Sequence, residues 1–228
     1  MLRKFFAALG LGSAAAGRGG AKPPYTPYSE SAANDIYNML FCDDPSAYRP
    51  TGGRAPAPWQ VVLSSDPPNV PALVALADDF TQEGRTRFLA YTKLRALGQV
   101  VPAKRLLGVI VEMPMAGGLD TLAAYSDGGV RYINHTSKLA FFERLPSLQP
   151  HVQSLFAASE PVVERIGPWH ESRRPPPKAG QVRLTFLVSD GLYFGEGPMA
   201  TMQREAMAGP VIQSAGQLLQ AAVALAVK

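Results

Sequence analysis

Leu106–Asn134 reads LLGVIVEMPMAGGLDTLAAYSDGGVRYIN, and the fold follows from it. The run from Leu106 to Met113 is apolar almost throughout and broken only by Glu112, the pattern of a strand covered on both faces. Gly117-Gly118 turns the chain into a second apolar run, Leu119 to Tyr125. Ser126-Asp127-Gly128 then separates it from Val130 to Asn134; an Asp-Gly turn between runs of branched and aromatic residues is the strongest short-range hairpin signal. The polar turn Thr136-Ser137-Lys138 leads to one more short strand, Leu139 to Glu143, completing a meander. The triplet recurs as Ser189-Asp190-Gly191, where Leu184, Phe186 and Val188 alternate with Arg183 and Thr185, so that half of that strand faces a core.

Helices are read outward from this sheet. Ser29 or Ser31 opens one through Asn34, Ile36, Tyr37 and Leu40, closed by Asp43-Asp44-Pro45. Trp59 to Leu63 reads as a short strand. Asn69 caps a helix with Pro71 in its first turn, and a second carries Phe88, Leu89, Tyr91, Leu94 and Leu97 to a stop at Gly98. In that helical hairpin Arg85, Arg87, Lys93 and Arg95 form a solvated basic face. Leu148 to Ile166 carries an apolar helical stripe in which Pro161 sets a kink or a break, and Pro210 opens a last helix with a wide apolar stripe.

The fold class is α+β: a mostly antiparallel sheet built from hairpins over about 105–143 and 182–195, with helices packed on one face and a C-terminal helix. Residues 1–28 read as a basic flexible tail or a targeting segment. Residues 29–228 read as one domain, with a helical lead-in over 29–98 and a sheet-containing part over 99–228. A Pro-rich connector over 167–181, with Arg173-Arg174-Pro175-Pro176-Pro177-Lys178, runs through the latter.

The chain has 228 residues and a net charge of +4. Arg3, Lys4, Arg18 and Lys22 are four of its 22 bases and precede Tyr28 without an acid, leaving 18 bases against 18 acids in the body. A neutral body without a basic run beyond Arg173-Arg174 argues against a nucleic-acid partner. Cys42 is the single cysteine, which excludes an intramolecular disulfide and fits a reducing compartment. Three histidines, His135, His151 and His170, have no ligand spacing, so neither a metal nor another cofactor is expected. No stretch is long and apolar enough to span a bilayer. A cytoplasmic location is expected. The basic start followed by Phe5-Phe6-Ala7-Ala8-Leu9 leaves export or surface apposition as alternatives.

Chemistry-bearing residues are sparse. Cys42, at the end of an apolar helix, reads as a small packed hydrophobe rather than a nucleophile. Gly195-Glu196-Gly197 sits where an anion cradle would, but Glu196 repels phosphate. Asp127 and Asp190 serve their turns, and Asn134-His135-Thr136 shapes another, although it also fits a glycosylation sequon. Tyr125, Tyr132, Phe141, Phe142, Tyr193 and Phe194 read as cross-strand packing or as a stacking platform. Glu112 interrupts a buried strand, so it either points outward or is a buried carboxylate with a partner. Glu112, Tyr132, His135 and Tyr193 are the ligand or partner candidates. No catalytic residue is assigned and the balance is against an enzyme. The expected function is a non-enzymatic protein-interaction or regulatory module with another protein as partner. The alternative is a small-ligand-binding protein or enzyme with a pocket near the hairpin ends.

Overall fold

The computed structural model describes residues 24–49 and 55–226. Most of the tail or targeting segment assigned to 1–28 lies outside the described residues. Tyr25–Tyr28, however, is docked on the domain, with Tyr28 buried and the Tyr25 hydroxyl donating to the Arg173 carbonyl at 2.7 Å.

Six strands form one antiparallel sheet: β1 Leu106–Met115, β2 Gly118–Tyr125, β3 Val130–Ile133, β4 Leu139–Phe142, β5 Gln181–Val188 and β6 Gly191–Pro198. Their order is β4-β3-β2-β1-β5-β6, so the meander and the second hairpin share the sheet through β1 and β5. The helices are α1 Ser31–Leu40, α2 Pro58–Ser64, α3 Val70–Asp78, α4 Gly84–Ala96, α5 Gln149–Arg165, α6 Met199–Met202 and α7 Ala208–Ala226, with a 3-10 turn at Pro45–Tyr48. The fold is α+β, with helices and an antiparallel sheet as the hairpin signals require.

Helices cover both faces of this sheet rather than one. On one face Val109, Val111, Leu122, Leu184 and Phe186 pack with Leu155 and Val163 of α5 and Val211 and Leu218 of α7. On the other, Ile110, Ala123, Tyr125 and Leu187 pack with Tyr37 and Leu40 of α1, Leu73 of α3 and Phe88 and Leu94 of α4. The continuous apolar run of β1 serves both layers. In β5, Arg183 and Thr185 are consequently buried as well, contrary to the half-exposed strand that their alternation suggests.

Other local expectations are corrected. Trp59–Leu63 lies in α2: its β-branched pair favours a strand, but Pro58 at the first helical position and the Gln60 side chain accepting from Ala57 N–H start a helix. Pro161 sits inside a continuous α5, without a break in the assigned helix. The basic face of α4 is not solvated throughout. Arg87 is 3% exposed, its Nε donating to the Ala77 carbonyl and its guanidinium lying 4.3 Å from the Phe80 ring centre.

The two Ser-Asp-Gly turns lie together at the end of the sheet where β1 begins, since Gly108 faces Tyr125 and Leu106 faces Val188. Both do more than reverse the chain. Asp127 Oδ1 accepts the Gly84 N–H at 2.9 Å, satisfying a free donor in the first turn of α4. Ser189 Oγ accepts the Arg105 N–H at 3.1 Å and donates to the Pro102 carbonyl, fixing the approach to β1. Gly84 is pressed against the sheet; a Cβ there would stand 2.3 Å from the Leu107 carbonyl oxygen. Gly84→Ala is therefore expected to lower the unfolding free energy by about 1–3 kcal/mol, measured by urea denaturation.

Candidate functional site

On the α1 side of the sheet the register aligns one row of polar residues across four strands: Thr121 of β2, Glu112 of β1, Arg183 of β5 and Glu196 of β6. Thr121, Glu112 and Arg183 lie in the interior, with Glu112 at 0% and Arg183 at 3% exposure, and Glu196 is half-buried. Glu112 is thus the buried carboxylate and not the outward one.

Its partners come from three parts of the chain. The Tyr37 hydroxyl of α1 donates to Glu112 Oε1 at 2.6 Å. Arg183 stands 3.6 Å from Glu112 Oε2, close enough for attraction but without a hydrogen bond. Its Nε and Nη2 go instead to Glu196 Oε2 at 2.8 and 2.6 Å, and Nη1 and Nη2 donate to the carbonyls of Arg174 and Pro175 in the connector. Arg173, next in that connector, binds Asp43 Oδ2 at 2.7 Å and Asn38 Oδ1 at 2.9 Å and lies 4.0 Å from the Phe41 ring centre. The Tyr28 hydroxyl meets Thr121 Oγ1 at 2.7 Å and completes the lid over the row.

Burial raises the Glu112 pKa above the usual carboxylate value, although Arg183, Tyr37 and Arg173 all pull it down. The ion pair and this direction point opposite ways. Burial prevails, because an unbonded contact does not repay the lost hydration of a fully enclosed carboxylate. Tyr37 is likewise raised, first by burial and then by the charge of Glu112.

The other candidates are elsewhere. Tyr132 and His135 meet at Asp120, whose Oδ2 accepts the Tyr132 hydroxyl at 3.0 Å and whose Oδ1 accepts the His135 main-chain N–H at 2.7 Å. The same Oδ1 lies 3.1 Å from His135 Nδ1, and the imidazole side chain is 39% exposed. An imidazole held by a carboxylate is an arrangement suited to proton transfer. Tyr193 lies at the opposite end of the strands, donating to Asp190 Oδ2 at 2.9 Å. Burial pushes the Tyr132 and Tyr193 hydroxyls up, each assisted by its aspartate. The four candidates therefore occupy three separate places: the interior row, the His135 turn and the Asp190 turn.

A cleft of about 460 Å3 lies between the Pro45 turn, α2 and α4, lined by Tyr48, Gln60, Leu63, Leu89 and Lys93 among others. None of the four candidates lines it. Cys42 is fully buried against the Tyr48 hydroxyl at 3.2 Å, and burial pushes its thiol up to about 12. A neutral enclosed thiol is a poor nucleophile. Gly195-Glu196-Gly197 lies within β6, where the Glu196 carboxylate holds Arg183. Among the described residues no group of three or more His, Cys, Asp or Glu side chains could hold a metal ion.

The two sheet edges are unlike. Beside β6 the connector runs close: the Trp169 N–H donates to the Leu192 carbonyl at 2.7 Å, and the Trp169 ring packs edge-on against Phe194 at 4.7 Å. Beside β4, among the described residues, no main chain outside β3 is hydrogen-bonded to Leu139, Ala140 or Phe141. Leu139 and Phe141 are 37% and 47% exposed there.

Sequence reading missed Tyr37, Arg183 and Arg173 as partners of Glu112, because each depends on a pairing that local pattern does not encode. Among the described residues no helix is long and apolar enough to cross a membrane. Comparison with models of known families, with curated proteins and with solved structures finds no match for this chain.

The Glu112 carboxyl gives a pH prediction. Its folded-state pKa is raised from 4.5, so its stabilising contribution is full below that value and is lost as pH rises through the folded value. Wild-type stability relative to Glu112→Gln is expected to fall as pH rises above 4.5, measured by urea unfolding. Cys42 is expected to resist Ellman's reagent until the protein unfolds, as followed by absorbance during a denaturant titration.

Proposed function

We propose that the protein is a non-enzymatic interaction module that engages another protein through the β4 edge, where an extended segment adds a strand to the sheet. The observation that carries this reading is the asymmetry of the edges: β6 receives a main-chain bond from the connector at Leu192, and among the described residues Leu139 and Phe141 of β4 are exposed and bond no main chain outside β3. Main-chain hydrogen bonds supply affinity in such pairing, and the alternating exposed side chains supply selectivity. The enclosure of Glu112 and Arg183 supports this reading, since neither side chain is open to a substrate.

A second reading, a small-ligand site or enzyme near the hairpin ends, draws on the Asp120–His135 pair and its exposed imidazole. The two readings separate by mutation. The double variant Leu139→Lys/Phe141→Lys is expected to lose a partner that the wild type retains during purification from the native host. Val100→Lys, at a position 99% exposed, keeps it. Both changed side chains lie at the surface, so thermal unfolding of the double variant is expected to stay within about 1 kcal/mol of wild type. Retention of the partner by the double variant, with its loss in His135→Ala, would favour the ligand reading.

A further inference from the structure

Resting on the reading of β4 as a docking edge, we infer that the strand it receives is β4 of a second copy of this chain, antiparallel, on a two-fold axis through Ala140. The main-chain phase of β4 comes first. The Tyr125 N–H donates to the Gly129 carbonyl, so Gly129, Arg131 and Ile133 direct their main-chain groups to β2. The Asn134 N–H donates to the Lys138 carbonyl, so Val130, Tyr132 and Asn134 face β4, and Ala140 and Phe142 answer them. Leu139 and Phe141 are left with N–H and C=O groups directed to the open side.

The symmetry of a closed dimer then restricts the register. Residues directly opposite each other in an antiparallel pair share a sheet face, and a two-fold axis carries each residue onto its twin on that face. The axis must therefore pass through a residue and not between two. Placed at Ala140, it sets Leu139 opposite the second copy's Phe141 and Phe141 opposite its Leu139. These are the residues whose main-chain groups point outward, so each pair exchanges both N–H···O bonds. The four side chains meet as one apolar cluster, formed from residues 37% and 47% exposed in the single chain.

Neighbouring registers are worse. An axis at Phe141 sets Leu139 against Glu143 of the second copy and Lys138 against its Arg144, whose φ of 52° takes it out of extended conformation. An axis at Leu139 sets Phe141 against Ser137, whose φ of 66° takes it out of extended conformation. Only the Ala140 register pairs both outward residues with each other. It also brings the two Ala140 residues together at a non-hydrogen-bonded position, where Cα atoms stand about 4.5 Å apart and a disulfide fits.

The full-length Ala140→Cys chain tests this, because Cys42 is buried and its thiol is pushed up to about 12. With mild oxidation, Ala140→Cys is expected to form an intermolecular disulfide at least about tenfold faster than Val100→Cys, because pairing makes the reaction effectively intramolecular. Adding Phe141→Lys to Ala140→Cys is expected to remove that advantage, and sedimentation of the untouched wild type is expected to show a concentration-dependent dimer. Equal cross-linking rates for Ala140→Cys and Val100→Cys, or a wild type that sediments as a monomer at every concentration, would overturn the second copy as occupant. If a host protein is still lost on changing Leu139 and Phe141 in that case, the docking edge stands and its occupant is another protein. If nothing is lost, both readings fail.

Discussion

A fully enclosed carboxylate in the central strand is the constraint on which the arrangement of the rest depends. Glu112 has no access to water, and its neighbours are selected by what an enclosed carboxylate needs. Tyr37 brings α1 down on the sheet to donate to it, and Arg183 beside it supplies the opposing charge. Arg183 cannot be enclosed without partners either, and it takes them from Glu196 and from the carbonyls of Arg174 and Pro175. The Pro-rich connector is thereby held over the row, and its start lies along β6 through Trp169. One buried charge thus accounts for the position of α1, the path of the connector and the shielding of one sheet edge.

The functional reading follows from what that arrangement leaves over. Helices cover both faces of the sheet and enclose Glu112 and Arg183, and the proposed docking surface is accordingly an edge. With β6 bordered by the connector, the β4 edge remains. It has four residues, shorter than most strands, and Lys138 precedes it; both features restrain indiscriminate pairing at an edge. A short edge with defined apolar neighbours suits a partner that fits one register, as a symmetric copy of the same strand does.

The meander was legible in the sequence because its signals are local. Gly117-Gly118, Ser126-Asp127-Gly128 and Thr136-Ser137-Lys138 punctuate runs of strand-forming residues, and β1 to β4 fall between them as expected. The helix at Asn69 was legible for the same reason: the Asn69 side chain does accept the Ala72 N–H at 3.0 Å. The second helical layer was not legible from alternation in β5, because Arg183 and Thr185 look solvent-facing until the pairing of β5 with β1 places Arg183 beside Glu112. Among the candidate residues, Glu112 was visible as an anomaly in an apolar run, but its partners were not. Tyr37, Arg173 and Arg183 come from positions far apart in sequence, joined only by the register and by the connector's path. Trp59–Leu63 went astray in the opposite sense, since its strand-like composition yields to a proline start and a side-chain cap.

The two Ser-Asp-Gly turns set hairpins and also fasten the entry to β1 and the first turn of α4. The most direct measurement of the open edge is residue-resolved amide hydrogen exchange at two protein concentrations. The account predicts that the Leu139 and Phe141 amides exchange rapidly in dilute protein and become protected as concentration rises, while Ala140, bonded to β3, is protected throughout. Protection of Leu139 and Phe141 independent of concentration would mean that the chain itself covers this edge, and would contradict the account.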